Sequence, residues 1–172
     1  WGSKLVAREG VKVHGQWQNL DPDDAATYFK RGGVYEKLGL YDQALQDYSR
    51  ALDVKQTLLN KSFFKIVVKC RAKIYQERGQ IEKALEDYEL IIDHYPDDPW
   101  IYFLKGDLLK VNNRYEEAIN YFSRVLQFEP EFDVAYPAYV FRAMCFSALN
   151  KHDKADADYE KAAQLEKTHE KP

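Results

Sequence analysis

The sequence predicts an all-α solenoid of stacked helix pairs, and three observations carry that expectation. Four segments superimpose on one another: Tyr28–Ala51, Val68–Ile91, Tyr102–Val125 and Tyr139–Ala162. Apolar residues recur at helical spacing through each segment. A Gly or Asn interrupts every one, at Gly39, Gly79, Asn113 and Asn150, and these are the residue types that take the left-handed conformation closing a helix.

The first helix of each block opens on Tyr28, Val68, Tyr102 or Tyr139. A small residue follows four places on (Gly32, Ala72, Gly106, Ala143), then a bulky one three later (Tyr35, Tyr75, Leu109, Phe146). Beyond the break, the second helix carries an alanine in every copy (Ala44, Ala84, Ala118, Ala155). Four residues further stands a ring: Tyr48, Tyr88, Phe122 or Tyr159. Each block closes on Ala51, Ile91, Val125 or Ala162. Small residues at the facing points let two helix backbones approach, and the rings fill the space beside them. Pro96 and Pro130 stop two of the second helices, and Asp97 and Asp98 supply cap chemistry for the next. One such pair cannot bury its own apolar face, so the pairs are expected to stack.

This pattern resembles the tetratricopeptide repeat (TPR) family, over residues 21–167. The resemblance implies four TPR helix-turn-helix pairs in a right-handed superhelix, with repeats near 25–58, 65–98, 99–132 and 136–167. The repeat alanines lie 40, 34 and 37 residues apart, so insertions are expected around the second and fourth pairs. Where the family pattern has leucine before the small residue, this chain has Arg31, Arg71, Lys105 and Arg142. Each is expected to lay its stem over the edge and keep its charge in water.

Residues 1–20 are not a further repeat, because Gly10, His14, Gly15 and Trp17 stand where small and aromatic framework residues belong. With Lys4, Arg8 and Lys12 against Glu9, that extension carries +2. A flexible leader, a cap on the first pair and an arm folding into the groove are all compatible with it. The only methionine is Met144, so the chain is expected to be a fragment or a processed product. At the other end, Asp156, Glu160 and Gln164 make a polar row suited to a terminal repeat, with residues 168–172 as a tail.

Composition excludes several function classes. A formal charge of −3 gives no case for nucleic acid or an anionic membrane surface as partner. No apolar run is long enough to span a bilayer. Cys70 and Cys145 form neither a disulfide framework nor a zinc motif, which favours a reduced, cytoplasmic setting. His14, His94, His152 and His169 are scattered, with His94 expected in an inter-pair loop and His169 in the tail. No phosphate loop or catalytic constellation accompanies them, so neither an enzyme nor a cofactor is expected.

The expected function is that of a protein-interaction scaffold or adaptor. The resemblance implies a concave groove lined by the first helices, and helical geometry selects the residues facing it. They are Ala26, Phe29, Gly33, Glu36 and Lys37 in the first block, and Ile66, Lys69, Lys73, Gln76 and Glu77 in the second. The third gives Trp100, Phe103, Asp107, Lys110 and Val111, and the fourth Pro137, Val140, Met144, Ser147 and Ala148. Phe29, Ile66, Trp100, Phe103, Val140 and Met144 thus form an apolar strip for a protein or peptide ligand. Burial of that strip within the chain is the competing reading. Of the lysines at positions 61, 65, 69 and 73, Lys69 and Lys73 point inward, either to meet acidic groups or as part of a solvated face. Chaperone-adaptor relatives grip a C-terminal carboxylate with lysine, asparagine and arginine at fixed places. Those places hold Phe29, Gly33, Cys70, Trp100 and Leu104 in one register, and Lys69, Lys73, Leu104, Pro137 and Phe141 in the next. Only Lys69 matches, so a carboxylate-clamp co-chaperone is not expected. The alternative to peptide binding is a structural module that meets another copy or domain through its ends or groove. Ten of the thirteen tyrosines stand at repeat positions and belong to the architecture.

Overall fold

The computed structural model describes residues 24–54 and 60–169, so the readings made for residues 1–20 lie outside the described residues. Those described are helical, in the order α1 (Ala25–Lys37), α2 (Tyr41–Asp53), α3 (Lys61–Glu77), α4 (Ile81–His94), α5 (Pro99–Val111), α6 (Tyr115–Gln127), α7 (Phe132–Ala148) and α8 (His152–His169). They fall into two compact units that divide within α4, after Asp87. No helix among the described residues is long and apolar enough to cross a membrane.

The four turns within the helix pairs share one geometry. Gly39, Gly79, Asn113 and Asn150 have φ of +71°, +69°, +61° and +57°. The next residue donates its N–H back over the turn: Leu40 to Tyr35 O at 2.9 Å, Gln80 to Tyr75 O at 2.8 Å, Arg114 to Leu109 O at 2.9 Å and Lys151 to Phe146 O at 2.9 Å. Carbonyls orphaned at each helix end are thereby satisfied. At the starts, Asp24 accepts from the N–H of Ala26 and Thr27, Asn60 from Phe63, and Asp98 from Trp100.

Helices α3 and α7 have 17 residues each, against 13 in α1 and α5. They start at Lys61 and Phe132, one turn ahead of the repeat starts expected near 65 and 136. Each added N-terminal turn falls where the repeat spacing is lengthened, and Pro137 sits inside α7. Two further expectations need correction. His94 is the last residue of α4, not part of a loop, and α8 runs through His169, whose ring stacks on Phe132 at 4.0 Å.

Within the first unit, Ala44, Tyr48, Ala51, Val67 and Ile74 are fully buried between α1, α2 and α3. Within the second, Phe122, Val125, Ala138, Ala143 and Cys145 are equally buried. The small residues do what their positions suggest. A Cβ on Gly32 would stand 2.8 Å from a Tyr48 ring carbon, and one on Gly106 would stand 2.9 Å from Phe122. Gly106→Ala is therefore expected to cost about 1–3 kcal/mol through overpacking, read as a lower urea midpoint at unchanged slope.

The basic residue before each small position does not keep its charge in water, as the sequence reading had it. Arg31 lies against Asp47, its Nε 2.6 Å and Nη2 2.5 Å from the two carboxylate oxygens, both side chains buried. Arg71 makes the same fork to Asp87, and Arg142 to Asp158 at 2.7 Å. Each aspartate stands sixteen residues after its arginine, directly before the framework ring. The remaining Nη1 of Arg71 donates to Ser49 on the preceding second helix at 3.1 Å, and that of Arg142 to Ser123 at 3.0 Å. In the third pair Tyr121 occupies the aspartate position. Lys105 lies 4.8 Å from its ring centroid and bonds Glu89, the counterpart of Ser49 and Ser123. One side chain thus ties each first helix to its own partner, to the preceding helix, or to both. A guanidinium desolvated at this edge needs a carboxylate in place of the water it has lost.

Candidate functional site

In the second unit, α5 and α7 lie against each other. Residues Trp100, Phe103, Asp107 and Val111 share one stripe of α5, and Asp133, Pro137, Val140 and Met144 share one of α7. Trp100 is 40% exposed and Met144 46%, and Val140 is half-buried. Phe103 departs from the expected exposed strip: it is 6% exposed and belongs to the core. Its ring stacks on Trp100 at 5.1 Å and on Phe141 at 5.3 Å, and tilts against Phe122 at 5.7 Å. The cause is Phe141, which projects from α7 across the α5 face and closes over position 103. Trp100 therefore rides on a ring stack anchored in the interior and stays 40% exposed.

The Lys110 ammonium sits 3.4 Å from the Phe141 ring centroid and 2.8 Å from Asp107 Oδ1. Lys110 thus reaches across to Phe141 of α7, while its pair with Asp107 stays within α5.

In the first unit, the corresponding faces belong to α1 and α3. Phe29 is half-buried, its ring 5.7 Å from Tyr48 and 5.5 Å edge-on from Phe63. Ile66 is 43% exposed. Lys73 is exposed, but its ammonium lies 2.9 Å from Glu36 and 3.6 Å from Glu77. The hydrogen bond to Glu36 holds that lysine above its ordinary pKa. Glu36 also accepts from the Tyr48 hydroxyl at 2.7 Å. Lys69 is half-buried and makes no ion pair among the described residues. Of the two lysines singled out by helical geometry, Lys69 is the uncommitted one.

The eight residues expected to line one groove thus divide between the units. Phe29, Ile66, Lys69 and Lys73 stand on α1 and α3, while Trp100, Phe103, Val140 and Met144 stand on α5 and α7. The sequence reading missed the carboxylates that engage Lys73 and the aspartates that pair with the framework arginines. The constant spacing of sixteen was the signal available for the latter.

Neither cysteine has the environment of a reactive thiol. Burial pushes Cys145 up to about 11 and raises Cys70 as well. Iodoacetamide at neutral pH is expected to leave Cys145 unlabelled in the native protein and to label it in urea, as read by intact mass. Labelling of Cys145 in the folded protein at the rate of a free thiol would contradict its packing. Among the described residues, no group of three or more His, Cys, Asp or Glu side chains is arranged to hold a metal.

Models of the tetratricopeptide repeat match at residues 25–58, 75–138 and 136–169. The chain is 28% identical over 116 residues to human Tetratricopeptide repeat protein 6, covering 66% of this chain and 20% of that protein. It is 24% identical over 110 residues to the Photosystem I assembly protein Ycf3 of Prochlorococcus marinus, covering 60% and 62%. A 31% identity over 115 residues to the uncharacterized protein ycf37 of Cyanophora paradoxa covers 63% and 62%. The chain therefore spans a fifth of the first relative's length and under two thirds of the others'. Among solved structures, MamA from Desulfovibrio magneticus RS-1 superimposes with a TM-score of 0.66 at 17% identity, covering 87% of this chain and 79% of that one. A second MamA crystal structure gives 0.70 at 17% identity, covering 87% and 82%. At that identity the likeness establishes the fold alone, a solenoid of helix pairs.

Proposed function

Because the chain belongs to the tetratricopeptide repeat family, whose fold serves protein–protein interaction and assembly, we propose that it holds a peptide or helix of a partner protein on the inner faces of its first helices. The observation that carries this reading is Trp100: a large aromatic, 40% exposed, held rigidly by a ring stack beneath it. Aromatic anchors of this kind dominate binding energy because their rotamers are fixed before the partner arrives. Met144 and Val140 extend the apolar surface beside it, with Met144 free to adapt its shape. In the first unit Ile66 and Lys69 play the parallel part, an apolar contact beside an uncommitted cation suited to an acidic group. Phe29 and Phe103 act from below, as supports. Lys73 contributes only if a partner displaces it from Glu36 and Glu77.

The test is affinity, measured on peptides selected against the wild-type protein. Trp100→Ala is expected to weaken binding by about 30-fold or more, and Met144→Ala by less. An unchanged dissociation constant for the Trp100→Ala, Met144→Ala double variant would count against this face. A Phe103 variant is unsuitable for the purpose, since its loss disturbs the core.

One observation favours assembly as a second reading. Tyr159 on α8 is 39% exposed, whereas its counterparts Tyr48, Tyr88 and Phe122 are buried. The last pair thus leaves a framework ring uncovered, where another copy or domain would find it. Sedimentation over a wide concentration range decides this: a monomer throughout removes self-assembly.

A further inference from the structure

We infer that the α5–α7 face selects a partner segment in which arginine or lysine alternates with apolar residues. This inference rests on the peptide-binding reading and adds the chemistry of the ligand. Its first support is the charge distribution. Residues 1–87 hold 15 Lys and Arg against 12 Asp and Glu, a formal +3, whereas residues 88–172 hold 10 against 16, a formal −6. The chain's overall −3 conceals that asymmetry. A net negative charge on the unit favours positively charged ligands and steers their approach.

The second support lies at the face itself. Asp133 continues the α7 stripe one turn beyond Pro137, and Asp97 stands three residues ahead of Trp100, just before α5 begins. Both are exposed, and neither accepts a hydrogen bond or joins an ion pair among the described residues. Asp98 is different, being spent on the Trp100 N–H as the α5 cap. Helix N-termini favour acidic residues, which accounts for carboxylates there but leaves Asp97 and Asp133 unneutralised by any side chain among the described residues. The cation on this face, Lys110, is spent on Asp107 and Phe141.

The third support is the exposure of Trp100, 40% open above its stack on Phe103. An indole offers the strongest of the aromatic cation sites, and a planar guanidinium stacks on it while its edge donates to a carboxylate. An acidic segment would meet Asp97 and Asp133 with no lysine to answer it. A wholly apolar one would bring nothing to neutralise them on desolvation.

The test uses the full chain and three fluorescent peptides of one apolar pattern, with arginine, glutamine or glutamate at the intervening positions. The arginine peptide is expected to bind about tenfold or more tighter than the glutamate one, with glutamine between. Added salt should shrink that preference. Asp97→Asn, Asp133→Asn should narrow it while leaving the glutamine peptide unchanged. Equal affinity for all three peptides overturns the charge selection and leaves the peptide-binding reading standing. Binding of none of them, together with no effect of Trp100→Ala on selected peptides, defeats both. Dimerisation of the chain alone that Trp100→Ala abolishes would place a second copy on the face and overturn the external partner.

Discussion

Asp47→Ala is expected to destabilise the protein by about 3–5 kcal/mol, more than any surface substitution. Asp47 is 1% exposed and Arg31 8%. The hydrogen bonds that Arg31 donates to Asp47 hold its guanidinium above its already high pKa, so the arginine has no neutral form to retreat into once the carboxylate is gone. What alanine leaves behind is a buried, uncompensated cation wedged between Tyr28 and Tyr35, whose rings lie 5.7 and 5.8 Å from it. The loss should appear as a fall in melting temperature on the order of 10 °C. A companion variant separates net worth from the cost of breaking the pair. Arg31→Met, Asp47→Leu removes both charges at similar volume and should recover most of the stability. Near-native stability of Asp47→Ala alone would mean that water reaches the pair and that the fork contributes little.

That pair also marks where sequence reasoning stopped short. The repeat frame was legible because it rests on local chemistry: Gly39, Gly79, Asn113 and Asn150 all take positive φ, as their side chains allow. The small residues at Gly32 and Gly106 were legible for the same reason, since only a missing Cβ admits Tyr48 and Phe122 so closely. The arginines invited a solvated reading because a long stem over an edge is the commoner fate of such residues. Their true partners lie on another helix, and a single helix's periodicity carries no information about them. Lys105 illustrates the point: Tyr121 replaces the aspartate, and the cation turns to Glu89. The added turns of α3 and α7 were hidden likewise, because an insertion and a helix extension have the same length in sequence. At the candidate site, angular position grouped Trp100, Phe103, Val140 and Met144 as one strip but could not rank their exposure, and Phe103 is buried. Exposure depends on what the neighbouring helix sends across.

Phe103 and Trp100, three residues apart on α5, are expected to fail in opposite ways when cut to alanine. Phe103→Ala removes a ring 6% exposed and packed among Trp100, Phe122 and Phe141. A cavity bounded by three stiff aromatics collapses poorly, so the expected loss is about 3–5 kcal/mol. Binding should weaken too, since the stack holding Trp100 loses its middle ring. Trp100→Ala removes a ring that is 40% exposed and caps the stack from outside. Its stability cost should stay near or below about 1 kcal/mol, the scale of one aromatic pair, while affinity for a selected peptide falls by about 30-fold or more. Denaturant melts and peptide titrations on both variants distinguish the roles. If Trp100→Ala unfolds the unit as readily as Phe103→Ala, the indole is structural and the binding face lies elsewhere. If Phe103→Ala stays folded and binds peptide as tightly as wild type, the stack does not position Trp100. The pairing of a rigid interior support with an exposed anchor is what distinguishes a binding ring from the framework rings at Tyr48, Tyr88 and Phe122, which are buried outright.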